Sequence, residues 1–225
     1  MDRTSDARRA TQPRLLDEAD LGDTKGKILE AAFRRLATEG YAALSMREIA
    51  RDAGVNHALI NYHFRTKDQL VIAVLDEANR QLLARQKAMY RGDATFAEKW
   101  AEARRFYRDD IASGFVRVQT ELMAASMSNP GLREKFVPQL RAWQQVVQEG
   151  VEDAVATLES SGVKLPAPFT ATVIATWIAE FWIGMEMVDL LGYPDARKTH
   201  QAALDAMETL LEGLDARVKK RKRKS

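Results

Sequence analysis

Apolar residues recur along this chain at intervals of three and four, the spacing that collects them on one face of a helix. From Thr24 to about Glu39 they are Ile28, Leu29, Ala32, Phe33, Leu36 and Ala37, with Thr24 placed to cap the start and Gly40 to stop the run. A short helix follows, with Met46, Ile49, Ala50 and Ala53 on one side. Ser45 and Glu48, three residues apart, have the form of a capping box. Gly54 ends that helix, because glycine tolerates the left-handed backbone of a sharp stop. Asn56 is then placed to cap a third helix whose apolar side is Val55, Leu59, Ile60 and Phe64. His57, Ala58 and Asn61 are left facing outward. Two short helices about a tight glycine turn are the layout of a helix-turn-helix.

The pattern then lengthens. One helix is predicted from Lys67 to about Tyr90, with Leu70, Val71, Val74, Leu75, Ala78 and Leu82 on one face and Gly92-Asp93 as its break. Further helices are predicted over Phe96–Ser113, Phe115–Ser128 and Leu132 to about Ser160, the last carrying Pro138 near its first turns or at a kink. After a loop over Ser161–Pro168 come two final helices, Phe169–Leu191 and Asp195–Val218, separated by Gly192-Tyr193-Pro194. No segment alternates as a strand does, so the expected fold is all-α with about nine helices. The Phe169–Leu191 helix is apolar nearly all round, which predicts burial on two sides. Glu180, Glu186 and Asp189 interrupt it and argue against a membrane span.

Charge divides the chain unevenly. Its 34 basic and 32 acidic residues give a formal +2. Seven basic residues and no acid follow Asp215; without them 27 basic face 32 acidic residues, a formal −5. Against that acidic body, Lys25 to Lys67 holds eight basic and four acidic residues, a local +4 that suits a phosphate backbone. The chain has no cysteine, which removes disulfides, thiolate catalysis and cysteine metal sites, and fits a reducing compartment. The first twenty residues lack the apolar run of a secretory signal, so the expected location is the cytoplasm. The expected organisation is a flexible arm over 1–23, a helix-turn-helix domain over 24–70, a helical effector-binding and dimerisation domain over 71–218, and a basic tail over 219–225. Acids interleaved with Arg3, Arg8, Arg9 and Arg14 favour a solvated arm over one that enters a minor groove.

Gly40-Tyr41, Leu44-Ser45, Ile49-Ala50, Ala53-Gly54-Val55, Tyr62-His63-Phe64, Lys67 and Leu70 stand at fixed spacings in a stretch that resembles the DNA-binding region of the tetracycline-repressor (TetR) family of bacterial transcription regulators. The resemblance covers about residues 24–75. It implies that His57, Ala58, Leu59 and Asn61 face base edges, where Asn61 would pair with adenine, His57 donate to guanine, and Ala58 or Leu59 pack on a thymine methyl. Many members of the family carry Tyr where Asn61 stands. The resemblance also implies phosphate contacts from Tyr62 and His63, backbone or outer-base contacts from Ser45 and Arg47, and an anion beside Lys67 at a helix start. It further implies a homodimer through the last two helices, a palindromic operator, and release of a repressor by a small, largely apolar effector.

Alternatives follow residue by residue. Phe64 suits a core position better than a DNA contact, and His63 suits packing as well as phosphate. His57 and His63 are six apart, not the three or four that place ligands together, so a metal site is not expected. No cofactor is expected. Trp100, Tyr107, Phe115, Met123, Met127, Trp143, Trp177 and Phe181, with Phe106 and Trp182 beside them, are as a group candidates to line an effector cavity, although each taken alone is better read as a core residue. Glu180 and Glu186 suit a salt bridge at a dimer edge, or a polar anchor for a ligand. The basic tail is a solvated end or a nonspecific phosphate contact. A helical enzyme would need a nucleophile, a phosphate loop or paired acids, and the sequence offers none of these arrangements.

Overall fold

A computed structural model describes Leu15 and residues 23–222. Most of the N-terminal arm and the last three residues of the basic tail lie outside the described residues. Among the described residues the chain forms nine helices and no strand: α1 (Thr24–Ala43), α2 (Met46–Asp52), α3 (His57–His63), α4 (Lys67–Arg91), α5 (Phe96–Ser113), α6 (Phe115–Ser128), α7 (Pro130–Ser160), α8 (Ala171–Leu190) and α9 (Ala196–Lys222). They group into two compact units. One takes in the described residues up to Leu82 together with Arg108–Gln139; the other takes in Leu83–Tyr107 and the described residues from Leu140 onward.

In the first unit, Ile28, Phe33, Leu36, Ile49, Ile60, Leu70, Val71 and Val74 are fully enclosed, as their helical spacing predicts. The whole predicted stripe of α4, from Leu70 to Leu82, is buried. α1 packs most extensively on α6 and also meets α2. Gly40 interrupts α1 at φ 81° and ψ 171°, and a last turn continues to Ala43.

Two predicted caps differ from those observed. Asp23, not Thr24, caps α1, its Oδ1 accepting from Gly26 N at 2.5 Å. Ser45 holds the cap position of α2 without a side-chain cap bond. The capping box fails to close because Glu48 is drawn to Arg35, 2.8 Å away; a charged fork offers that carboxylate more than a backbone amide does.

In the second unit α8 and α9 pack together. The expected two-sided burial of α8 is not met within one chain: Ala175, Ala179 and Met185 are buried, whereas Trp177 is 58% exposed and Phe181 38%. Among the described residues α8 has the length and composition to cross a membrane. Its Asp189 accepts from the Tyr107 hydroxyl and lies 2.8 Å from His200 Nδ1. α9 runs past the predicted end at Val218, and Arg221 donates to the Ser161 carbonyl. The beginning of the basic tail is therefore helical and tied to a loop.

Candidate functional site

The outer face of α3 is held out from a firm base. Ile49 and Ile60 are fully buried, Phe64 is 5% exposed, and together they fasten α2 and α3 to their unit. Phe64 is thus a core residue, in line with the plainer of its two readings. Asn56 caps α3 as expected, its Oδ1 accepting from Ala58 N at 2.9 Å. Outside that base His57, Ala58, Leu59, Asn61, Tyr62 and His63 are all exposed, Tyr62 at 81%. Asn61 Nδ2 lies 3.4 Å from His57 Nδ1, one helical turn away, so the two polar side chains form one edge. Tyr62 and His63 stand edge to face at 5.2 Å.

The cations of this stretch are not equivalent. Arg35, buried in α1, donates through Nε to Asp52 at 2.6 Å and through Nη1 to Glu39 and Glu48 at 2.9 and 2.8 Å. That fork locks α2 to α1 and holds the Asp52 carboxyl below its usual range. Arg35 is therefore structural, and the local +4 overstates the charge offered outward. Arg47 and Arg65 are exposed and meet no acid among the described residues. Lys67 Nζ donates to the Tyr41 carbonyl at 3.1 Å and lies 4.3 Å from the Tyr41 ring centre, so this cation is positioned rather than loose. Ser45 is half-buried, and its hydroxyl is not consumed by a cap.

The aromatic and methionine residues expected to line one cavity are spread over both units. Phe115, Met123 and Met127 belong to the first, Met127 being 73% exposed. In the second, Tyr107 is bound to Asp189, Trp143 Nε1 donates to Gln86 at 3.0 Å, and Trp177 stacks edge-on to Phe169 at the surface. Of the expected residues, Trp100 and Trp182 line the cavity of about 430 Å³ found within the second unit. The Trp100 indole donates to the Leu204 carbonyl at 3.0 Å, and its ring lies 5.4 Å from that of Trp182.

Tyr90 and Gly150 complete that wall, and neither was expected. A Cβ at Gly150 would collide with the Tyr90 ring. A glycine in mid-helix costs roughly 1 kcal/mol against alanine, so its presence in the α7 sequence was a signal of close approach. Enclosure pushes the Tyr90 hydroxyl up to about 12.

The first unit thus presents a helix-turn-helix with an open outer face, and the second is a helical body that holds a cavity. Residues 28–74 match the family model for bacterial regulatory proteins of the tetR family, so this stretch is a TetR-type DNA-binding region. Over 55 residues it is 53% identical to the HTH-type transcriptional repressor Rv3405c of Mycobacterium tuberculosis, 24% of this chain and 29% of that protein. Over 116 residues it is 28% identical to the HTH-type transcriptional regulator CymR of Pseudomonas putida, 50% of this chain and 55% of that one. The matches thus span about a third to a half of these relatives' lengths. Among solved structures, Salmonella enterica GusR superposes with a TM-score of 0.63 at 19% identity, covering 86% of this chain and 95% of that one. The regulator FadR of Bacillus subtilis, solved with stearoyl-CoA, gives 0.61 at 22% identity over 84% and 96%. These likenesses are of fold.

Proposed function

We propose that this chain is a homodimeric transcription repressor that reads a palindromic operator through α3 and leaves it when a small, largely apolar effector binds the helical unit. The observation that carries the reading is the outer face of α3, open, polar and small-sided above a locked base. Asn61 suits an adenine edge, His57 a guanine acceptor, and Ala58 and Leu59 a thymine methyl. Tyr62, His63, Ser45, Arg47 and Lys67 flank that face and suit phosphate.

Two further features support the rest. Trp177, Phe181, Met187, Met207 and Leu210 leave apolar surface on α8 and α9, of the kind a second copy would cover. A dimer would set two recognition helices one helical turn apart, about 34–36 Å, to meet the half-sites of a palindrome. The cavity in the second unit is of a size that holds a small ligand, and FadR of Bacillus subtilis was solved with one. α4 runs unbroken from the recognition unit into the unit with the cavity. An effector that binds one arrangement of α4 better than another would shift the population by that difference in affinity.

A gel shift tests the assignment. Asn61→Ala should relax base preference, and Arg47→Ala should weaken binding on all sequences and lower the salt slope by roughly 0.9. Wild-type affinity and selectivity in both variants would overturn it.

A further inference from the structure

The cavity of the second unit has a chemistry of its own. Most of its charged groups are satisfied or lie at the surface. Asp215 accepts from the first amides of α5, Phe96 N at 3.1 Å and Ala97 N at 3.0 Å. Lys99 Nζ donates to the Tyr90 carbonyl at 2.7 Å. Asp93, Asp153 and Lys219 occupy exposed positions. The walls between are apolar and ringed, with Trp100 and Trp182 tilted at 44° to each other. Among the described residues neither the Tyr90 hydroxyl nor the Trp182 indole N–H has a hydrogen-bond partner; both residues are half-buried and line the cavity. A donor that water can reach exchanges that water for a ligand acceptor at a modest gain.

We propose that this cavity takes a ring-bearing molecule with a hydrogen-bond acceptor such as a ketone oxygen, which receives the Tyr90 hydroxyl. Trp100 and Trp182 supply ring faces, and their tilt suits a flat ligand better than a flexible chain. Gly150 sets the position of Tyr90, because any side chain there would drive the phenol out of its seat. Asp215 is held by two amides, so a cation gains little in the enclosed part of the wall, whereas the half-buried Lys99 ammonium keeps its charge. The proposal rests on the effector reading above and names the chemistry of its ligand.

The test is calorimetric titration of the full chain with 2-acetylnaphthalene and with 2-isopropylnaphthalene, which has the same ring and no acceptor. Wild type should bind the ketone about tenfold more tightly, a difference of about 1.4 kcal/mol. Tyr90→Phe should weaken the ketone alone and bring the two probes within about threefold of each other. Ala154→Phe, which fills the cavity from α7, should abolish binding of both. Equal affinities in wild type, an unchanged preference in Tyr90→Phe, or undiminished binding in Ala154→Phe would each overturn the proposal. A gel shift with the ketone present separates the two levels. Ketone binding that passes these controls but leaves operator affinity unchanged would support the cavity chemistry and count against the effector reading.

Discussion

The hydroxyl of Tyr41 donates to Oδ1 of Asp68 at 2.5 Å, and the other Asp68 oxygen accepts from Asn129 Nδ2 at 3.1 Å. One carboxylate in the first turn of α4 thus joins the end of α1 to the junction of α6 and α7. Lys67, next in sequence, takes the Tyr41 carbonyl and the face of its ring. The residue that leaves α1 and the residues that open α4 are one polar cluster.

Tyr41→Phe removes a half-buried hydrogen bond to a charged group and should cost about 1–2 kcal/mol in urea unfolding. Its pH signature has a definite sign. Burial, then the bond to Asp68, pushes the Tyr41 hydroxyl up to about 12. A phenol raised above its unfolded value of about 10 contributes stability that is complete below that pH and lost as pH rises through the folded value. Wild type should therefore lose more stability than Tyr41→Phe between about pH 10 and 12. Parallel curves would contradict the assignment.

Arg35 faces three carboxylates, so Arg35→Met leaves Glu39, Glu48 and Asp52 crowded, with only the exposed Arg51 beside Glu48 and Asp52, at 3.9 and 3.5 Å. The carboxylates are partly exposed, which lowers the cost from that of a fully buried pair to about 1–3 kcal/mol. Lysine should rescue only in part, because an ammonium cannot fork to several acids at once. The Arg35 bond depresses the Asp52 carboxyl, so its contribution is present above the ordinary carboxylate range and lost as pH falls below that range. Asp52→Asn removes this pH-dependent contribution and should flatten the acid limb, so its deficit against wild type shrinks as pH falls below the carboxylate range.

Gly40 combines a positive φ with a near contact. A Cβ there would lie 2.7 Å from Glu121 Oε2, the carboxylate that accepts from Tyr41 N at 3.1 Å. Gly40→Ala should lower stability by about 1–3 kcal/mol. Glu121→Ala added to it should recover the steric part and leave the backbone part, a coupling that a double-mutant cycle reads directly.

Trp177→Glu places a charge on the exposed apolar face of α8. If that face is covered by a second copy, the variant should sediment as a monomer and lose operator affinity together. Retention of the wild-type sedimentation coefficient would locate any dimer contact elsewhere.

Much of the fold was readable from spacing, and the reasons are physical. The α4 stripe from Leu70 to Leu82 has one buried face and a strict helical repeat, so every member proved buried. Gly40 and Gly54 mark breaks because both adopt positive φ. The cap of α1 moved by one residue, to Asp23, while the other misreadings depend on distant partners. Glu48 left its capping box for Arg35, thirteen residues earlier. α8 reads as a doubly buried helix by composition, yet composition does not say whether its second partner lies in the same chain. The cavity was half-seen: Trp100 and Trp182 stood out as large residues, whereas Tyr90 matters through the glycine opposite it. Only the fold brings residues 90 and 150 together.

The central claim is that α3 reads base sequence as one half of a pair. Selection of bound fragments from random duplex DNA by the full chain, repeated with Asn61→Ala, tests it most directly. Wild type should enrich an inverted repeat, with preference lost in Asn61→Ala at symmetric positions in both half-sites. Enrichment of no sequence, of a single asymmetric site, or of the same repeat with undiminished preference in the variant would contradict it.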